Sequence, residues 1–383
     1  MFSSKLPDVG TTIFSTMTAL ANEVGAVNLS QGFPDYPVDP SLADLLAKAV
    51  QDGFNQYAPM PGLLSLREAV AAKYWSMFSI TVDPVHELTI TPGGTAALAT
   101  AIATVVRPGH EVIVFEPCYD SYAPAVRLNG GIVVPSVLAA PLYRPDWDHV
   151  RSLVSDRTAM IIVNSPHNPC GSTLTSDDLN ELADICEGSN IIVLSDEVYE
   201  LITYDGAVHN SVLAHARLRE RSFVITSFGK TFHITGWKVG CCAAPQHLTS
   251  EFRKAHQFIS FCVNTPAQAV LGTYMQDPSS YTGLSTFFQQ KRDLFRGLLS
   301  GSKWTVRPCT GTYFQLLGYE QFSDERDVDL ALRLTREVGV ASIPISPFVS
   351  DHRAHSDRAL RFCFAKKDET LERAAERLRA VLG

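Results

Sequence analysis

The sequence predicts an α/β fold: a large domain on a mostly parallel sheet of seven strands, with a smaller α+β domain beside it. Three observations point there. Seven short runs, at 87–91, 111–115, 131–135, 159–163, 191–194, 223–226 and 240–244, are rich in Val and Ile and apolar on both alternations. That is the pattern of strands buried on both faces. Helical patterns, as at 95–106 and 176–187, separate many of them, so helices and strands alternate along the chain. The runs end in polar, Gly or Pro turns, and ligands in such folds bind beyond the carboxyl ends of the strands.

With 383 residues the chain exceeds one ordinary core and suits two domains that share a cleft. Residues 46–275 carry the seven runs and form the large domain. Residues 1–45 read as a tail bearing the loop Ser30-Gln-Gly-Phe-Pro-Asp35. Residues 276–383 read as helix (287–299), strand (311–317), helix (328–338), strand (359–364) and helix (369–382). This part, packed with the N-terminal segment, is the smaller domain.

Composition removes several classes of function. Apolar residues make up 45% and charged residues 19%, a soluble globular balance. No apolar stretch reaches the roughly 18–20 residues that cross a bilayer, and the N-terminus lacks a charged leader followed by an apolar segment. The net charge is −8 with no Lys/Arg block, so nucleic acid and anionic membrane are poor partners. Eight cysteines occur without CxxC spacing, which reads as reduced, buried thiols in a cytoplasmic protein with no metal centre. Cys241 and Cys242, neighbours in one strand, are expected to face opposite ways.

The chemistry starts at Ser227-Phe-Gly-Lys230-Thr, directly after the run 223–226. A lysine there points its amine into a cleft at the end of a sheet. With the hydroxyl of Ser227 before it and Lys238 after it to hold an anion, it suits pyridoxal phosphate bound as an imine. That cofactor's ring nitrogen needs a carboxylate. Asp196, at the end of the run 191–194 in Ser195-Asp-Glu-Val-Tyr199, supplies one, or else caps a helix. Tyr199 shares its face if the chain turns helical, and otherwise only packs.

Thr91-Pro-Gly-Gly94-Thr95 follows a strand and opens a helix, where glycines and free N–H groups receive a phosphate. It is neither a Walker loop nor GxGxxG, which weakens the nucleotide readings. Asn168, in the rigid Asn164-Ser-Pro-His-Asn168-Pro turn, either bonds the cofactor's phenolic oxygen or closes an Asx turn. Tyr119 stacks on the ring or fills a turn. Arg361, flanked by apolar residues in a strand, pairs with a substrate carboxylate or with an internal acid.

Together these motifs, with Gln-Gly-Phe-Pro-Asp35, Asn-Gln-Tyr57 and Thr235-Gly-Trp-Lys238-Val-Gly240, give the chain a resemblance to fold-type I pyridoxal phosphate enzymes of the class I/II aminotransferase family. The likeness spans residues 14–382. Its nearest branch looks like bacterial methionine aminotransferase and the kynurenine aminotransferase/glutamine transaminase group. The resemblance implies that Lys230 bonds the cofactor and acts as base, Asp196 holds the ring nitrogen, and Asn168 and Tyr199 bond the phenolic oxygen. It implies that Tyr119 stacks, that Gly94, Thr95, Ser227 and Lys238 hold the phosphate, and that Tyr57 reaches it from the other subunit of a homodimer. Gly32, Asn168 and Arg361 would receive the substrate carboxylate.

The implied activity is transfer of an amino group from an amino acid to a 2-oxo acid in a ping-pong cycle. A carbon–sulfur β-lyase on the same fold is the alternative; a non-catalytic regulatory relative is remote, since Lys230 is present. Residues 257–268 contain no Arg or Lys. An apolar, partly aromatic pocket is therefore expected, formed by Phe258, Phe261 and Val263 together with Phe14 and the region of Phe348. Such a pocket favours methionine, aromatic, kynurenine or glutamine-like side chains over aspartate.

Overall fold

A computed structural model describes residues 3–351 and 357–380. Thirteen strands occur among them: β1 (Val27–Asn28), β2 (Leu88–Thr91), β3 (Glu111–Glu116), β4 (Ile132–Val137), β5 (Thr158–Asn164), β6 (Ile192–Asp196), β7 (Ser222–Ser227), β8 (Gly240–Ala243), β9 (Thr305–Val306), β10 (Phe314–Gly318), β11 (Val340–Ala341), β12 (Ile343–Pro344) and β13 (Ala359–Cys363).

The seven expected runs are β2 to β8, and they form one sheet in the order β2-β8-β7-β6-β5-β3-β4. β8 runs antiparallel to β2 and β7, and the other pairs are parallel. Both faces of the central strands are buried, as their unbroken apolar pattern requires. Cys241 and Cys242 go to the cores on opposite faces. The carboxyl ends of β5, β6 and β7 lie side by side, because Asn164 is in register with Asp196, and Asp196 with Ile225. One edge of the sheet thereby carries the Asn168, Asp196 and Lys230 loops.

A second sheet has the order β12-β13-β10-β9, all antiparallel, and sets Arg361 opposite Leu316 on one side and Ile343 on the other. The N-terminal segment joins this half of the chain: β1 pairs in parallel with β11, Val27 facing Val340.

Two expectations need correcting. The N-terminal tail contains a helix, Ile13–Val24, with Thr12 accepting from the Ser15 amide at its start and Gly25 closing it at φ 66°. Its buried residues Met17, Leu20 and Ala21 stand at helical spacing. The boundary placed between residues 45 and 46 falls inside a continuous helix, Pro40–Gln51. Asp39 caps that helix and Pro40 opens it, a start signal present in the sequence. The strand expected at 311–317 is β10, shorter at its start. The helix expected at 369–382 is described as Asp368–Ala380, and residues 381–383 lie outside the described residues.

Candidate active site

A cleft of about 720 Å³ opens beyond the carboxyl ends of β5 to β7 and is lined by Gly94, Thr95, Tyr119, Asn168, Asp196, Tyr199, Ser227, Lys230 and Lys238. These nine residues come from six separate stretches of sequence, and the sheet brings them to one place.

Lys230 lies in the short helix Phe228–Thr231 directly after β7. Its Nζ donates to the Gly32 carbonyl at 3.1 Å and lies 5.7 Å from the ring centres of both Tyr199 and Tyr313. Burial pushes its ammonium down to about 8, and Arg361 and Lys238 add repulsion. A lysine so placed is partly neutral near physiological pH, as a nucleophile or base must be.

Asp196 ends β6 and is 3% exposed. No helix follows it: the chain turns, and Val198 N donates to Oδ1 at 3.3 Å. The helix-cap reading of Asp196 is thereby excluded, and Tyr199 shares its cleft through a turn. The Tyr122 hydroxyl donates to Asp196 Oδ2 at 2.6 Å. Asn164 Nδ2 and the Ser165 amide donate to the Asp196 main-chain oxygen at 2.8 and 3.1 Å, so the strand end is pinned. Tyr199 is buried edge-on to Tyr313, centroids 5.1 Å apart. Burial raises its phenol well above the ordinary range, so it keeps its proton as a donor.

Asn168 is fixed from both sides. Its main-chain N–H donates to Asn164 Oδ1 at 2.7 Å, and its side-chain Oδ1 accepts from Arg361 Nη1 at 2.6 Å. Arg361 is 1% exposed, and its Nη2 donates to the Ser30 carbonyl at 3.0 Å. The guanidinium stands 3.9 Å from the Phe314 ring centre, 5.1 Å from Phe14 and 5.9 Å from Phe348. No carboxylate pairs with it among the described residues, and its Nε has no partner, so the internal-ion-pair reading does not hold. Gly32 lies alongside; its carbonyl accepts from Lys230 and from the Tyr313 hydroxyl at 2.6 Å. A Cβ at Gly32 would come 2.8 Å from Phe314 Cζ, so no larger residue fits without displacement.

The anion end of the cleft is built by close backbone approach. Gly93 has φ 83° and precedes the helix Gly94–Val105. A Cβ on Gly93 would stand 3.2 Å from Lys238 Nζ and fill the space over that amine. Lys238 itself adopts the left-handed conformation, φ 55°, and makes no ion pair among the described residues. Thr95 Oγ1 is 3.3 Å from the Tyr119 hydroxyl. A helix N-terminus, a free ammonium and the Ser227 hydroxyl at one end, a buried carboxylate at the other and a buried amine between them fit pyridoxal phosphate.

Sequence reasoning missed four residues that build this site. Tyr122 stands three residues after Tyr119, and Asn164 opens the turn that carries Asn168; both needed only their partners. Tyr313 and Phe314 carry no local signal; the start of β10 brings them in from about 80 residues beyond Lys230. The stretch 257–268 is the main miss. Phe258 is 90% exposed, Phe261 is exposed at φ 65°, and Val263 is buried in the core. None lines the cleft of its own chain. Tyr57, 82% exposed and 5.3 Å from the Phe261 ring, is also outside that cleft.

Comparison with known proteins agrees with this geometry. Residues 24–378 match the family described as aminotransferase class I and II. The chain is 48% identical to methionine aminotransferase of Escherichia coli over 99% of this chain and 98% of that protein. It is 32% identical to kynurenine–oxoglutarate transaminase of Dictyostelium discoideum, over 98% and 95% of the two chains. A solved structure from Escherichia coli, reported with a methionine aminotransferase function, superposes with a TM-score of 0.97 at 47% identity, covering 99% of each chain. N-succinyldiaminopimelate aminotransferase from Mycobacterium tuberculosis superposes at 0.94 with 36% identity over the whole of both chains.

Proposed function

The chain belongs to the class I and II aminotransferase family and is a pyridoxal phosphate-dependent transaminase, and from that premise we propose that it takes its amino group from methionine or another apolar or aromatic L-amino acid. The observation that carries this is the setting of Arg361. It is a buried guanidinium with no carboxylate paired to it among the described residues, enclosed by the rings of Phe14, Phe314 and Phe348. The fork receives an α-carboxylate in two parallel hydrogen bonds, and Asn168 beside it fixes the orientation. The rings offer apolar surface next to that carboxylate. Among the described residues the cations lining the cleft, Lys230 and Lys238, belong to its cofactor end, so none of them is placed to meet a side-chain carboxylate. The similarity to methionine aminotransferase supports the same substrate.

In this reading Gly94, Thr95, Ser227 and Lys238 hold the cofactor's phosphate, Asp196 its ring nitrogen, Asn168 and Tyr199 its phenolic oxygen, and Tyr119 its ring face. Lys230 holds it covalently through Nζ. Bound pyridoxal phosphate supplies an electron sink for the charge left when the Cα proton departs. With the cofactor bound, Lys230 Nζ, a buried amine whose pKa is lowered in the cofactor-free chain, would be the base that takes the Cα proton and delivers it to the cofactor side. Gly32 O, already 3.1 Å from Nζ, anchors the freed amine. The second half of a ping-pong cycle runs the same steps backwards with a 2-oxo acid.

The active unit we propose is a homodimer. Tyr57, Phe258, Ile259 and Phe261 are exposed apolar side chains on one chain, and a Tyr57 so exposed serves a cleft only across an interface. The eight free cysteines support a reducing, cytoplasmic setting. A panel of donors with one fixed 2-oxo acid, compared as kcat/KM, tests the specificity: methionine or an aromatic amino acid should lead, and aspartate in first place would overturn it.

A further inference from the structure

The two oxygens of Asp196 have unlike surroundings. Oδ2 accepts the 2.6 Å hydrogen bond from Tyr122, whereas among the described residues Oδ1 has only the Val198 amide at 3.3 Å. Tyr122 opens the helix Tyr122–Leu128, is 2% exposed and packs among the apolar side chains on the cleft face of the sheet. Its ring meets Tyr119 edge-on at 5.7 Å. Among the described residues, Asp196 is the hydroxyl's one hydrogen-bond partner. The geometry is that of a charge-assisted bond inside a dry core, where it is strongest.

Other charged groups bear on Asp196. Lys230 lies across the cleft. Glu197, next in the chain, turns to the opposite face, where it accepts from Ser195 Oγ at 2.9 Å and from the Val212 amide at 3.1 Å, and meets His209 Nε2 at 2.7 Å. The phenols of Tyr119 and Tyr199 stand in the same field. Burial raises the Asp196 carboxyl to about 6, with Tyr122, the Val198 amide and Lys230 drawing it down and Glu197 pushing it up.

We propose that Tyr122 is a positioning residue that keeps Asp196 ionised and turns Oδ1 toward the cofactor's ring nitrogen. A carboxylate already raised by burial stands close to neutral pH. Without its strongest donor, a rise of one to two pH units leaves it about half to nine-tenths protonated at pH 7, and the protonated fraction no longer sustains a protonated ring. The proposal rests on Asp196 as the partner of that nitrogen, and its first measurement is independent of that assignment.

The test is Tyr122→Phe, which keeps the ring and removes the donor. In the full chain before cofactor loading, with aspartate 13C-labelled at the carboxyl, the Asp196 band is isolated by difference infrared spectra against Asp196→Asn. Its titration midpoint should rise by about one to two pH units, the effect of losing one hydrogen bond to a charged group. In the loaded enzyme the acid limb of kcat should move the same way. The loss at pH 7, about twofold for a one-unit shift and about tenfold for a two-unit shift, should fade as pH rises. An unmoved carboxylate midpoint overturns the proposal, and so does a kcat deficit that is flat with pH. A midpoint that rises while the kcat profile stays put refutes the assignment of Asp196 to the ring nitrogen, and the proposal with it. Should the Phe variant fail to fold, 3-fluorotyrosine placed at 122 keeps the shape and donates more strongly. The midpoint should then fall; one that stays or rises counts against Tyr122.

Discussion

At the scale of the residue, the site works by holding ionisable groups away from their ordinary values. Lys230 is the clearest case. Its folded pKa of about 8 lies below the ordinary 10.5. Below pH 8 it is charged in both the folded and unfolded states, and the folded cofactor-free chain carries the whole cost of the buried ammonium. Between pH 8 and 10.5 the unfolded chain binds more protons, so stability rises with pH. Lys230→Met removes that cost. The cofactor-free variant should melt a few degrees above the parent at pH 7, and the gap should close as pH rises toward 10.5. A gap independent of pH would mean the amine is not desolvated. Arg361 makes the second case. Arg361→Lys keeps the charge but loses the fork, so KM for the donor should rise tenfold or more with a smaller change in kcat. An unchanged KM would place the carboxylate elsewhere.

At the scale of the element, the phosphate end depends on how closely β8 approaches the turn before the helix Gly94–Val105. A Cβ at Gly240 would stand 2.9 Å from Gly93 C and from Thr226 O, and 3.0 Å from Gly94 N. All three are backbone atoms that cannot swing aside. Gly240→Ala should therefore push the glycine turn off its place, weakening cofactor retention by an order of magnitude or more and lowering the melting temperature. Equilibrium dialysis of the loaded enzyme measures the first effect. Cofactor retention equal to the parent's would show that the turn tolerates displacement. The strand runs of this sheet were legible in the sequence because burial on both faces leaves no polar alternation to confuse them. The helix Ile13–Val24 was missed, although its spacing, its Thr12 cap and Gly25 stand in the sequence, and its place is set by β1 pairing with β11, more than 300 residues away.

At the scale of the whole molecule, the exposed group Tyr57, Phe258, Ile259 and Phe261 asks for a partner. The loaded enzyme should sediment as a dimer. Phe258→Asp with Phe261→Asp should shift it toward monomer and lower kcat/KM together with cofactor affinity, because Tyr57 would no longer reach the neighbouring cleft. A monomeric parent with full activity, or a monomeric variant as active as the parent, would contradict the dimer reading.

The sequence alone determined the sheet and the identity of most groups that line the cleft. A buried strand, a glycine turn before a helix and a lysine after a strand are local patterns, written within a few residues. Tertiary structure alone decided which of two meanings each group carries. Among the described residues Arg361 has no carboxylate paired with it, because β10 and the N-terminal segment set phenylalanine rings and a main-chain carbonyl around it. Asp196 caps no helix because the chain turns after it and Tyr122 claims one of its oxygens. Phe258, in the last turn of the helix Gln246–Ile259, and Phe261, in the stretch before the helix Thr265–Tyr274, lie outside their own cleft because both are carried to the surface. A residue's type fixes which bonds it can make; only the packing of distant segments fixes which partner is within reach and how much water remains.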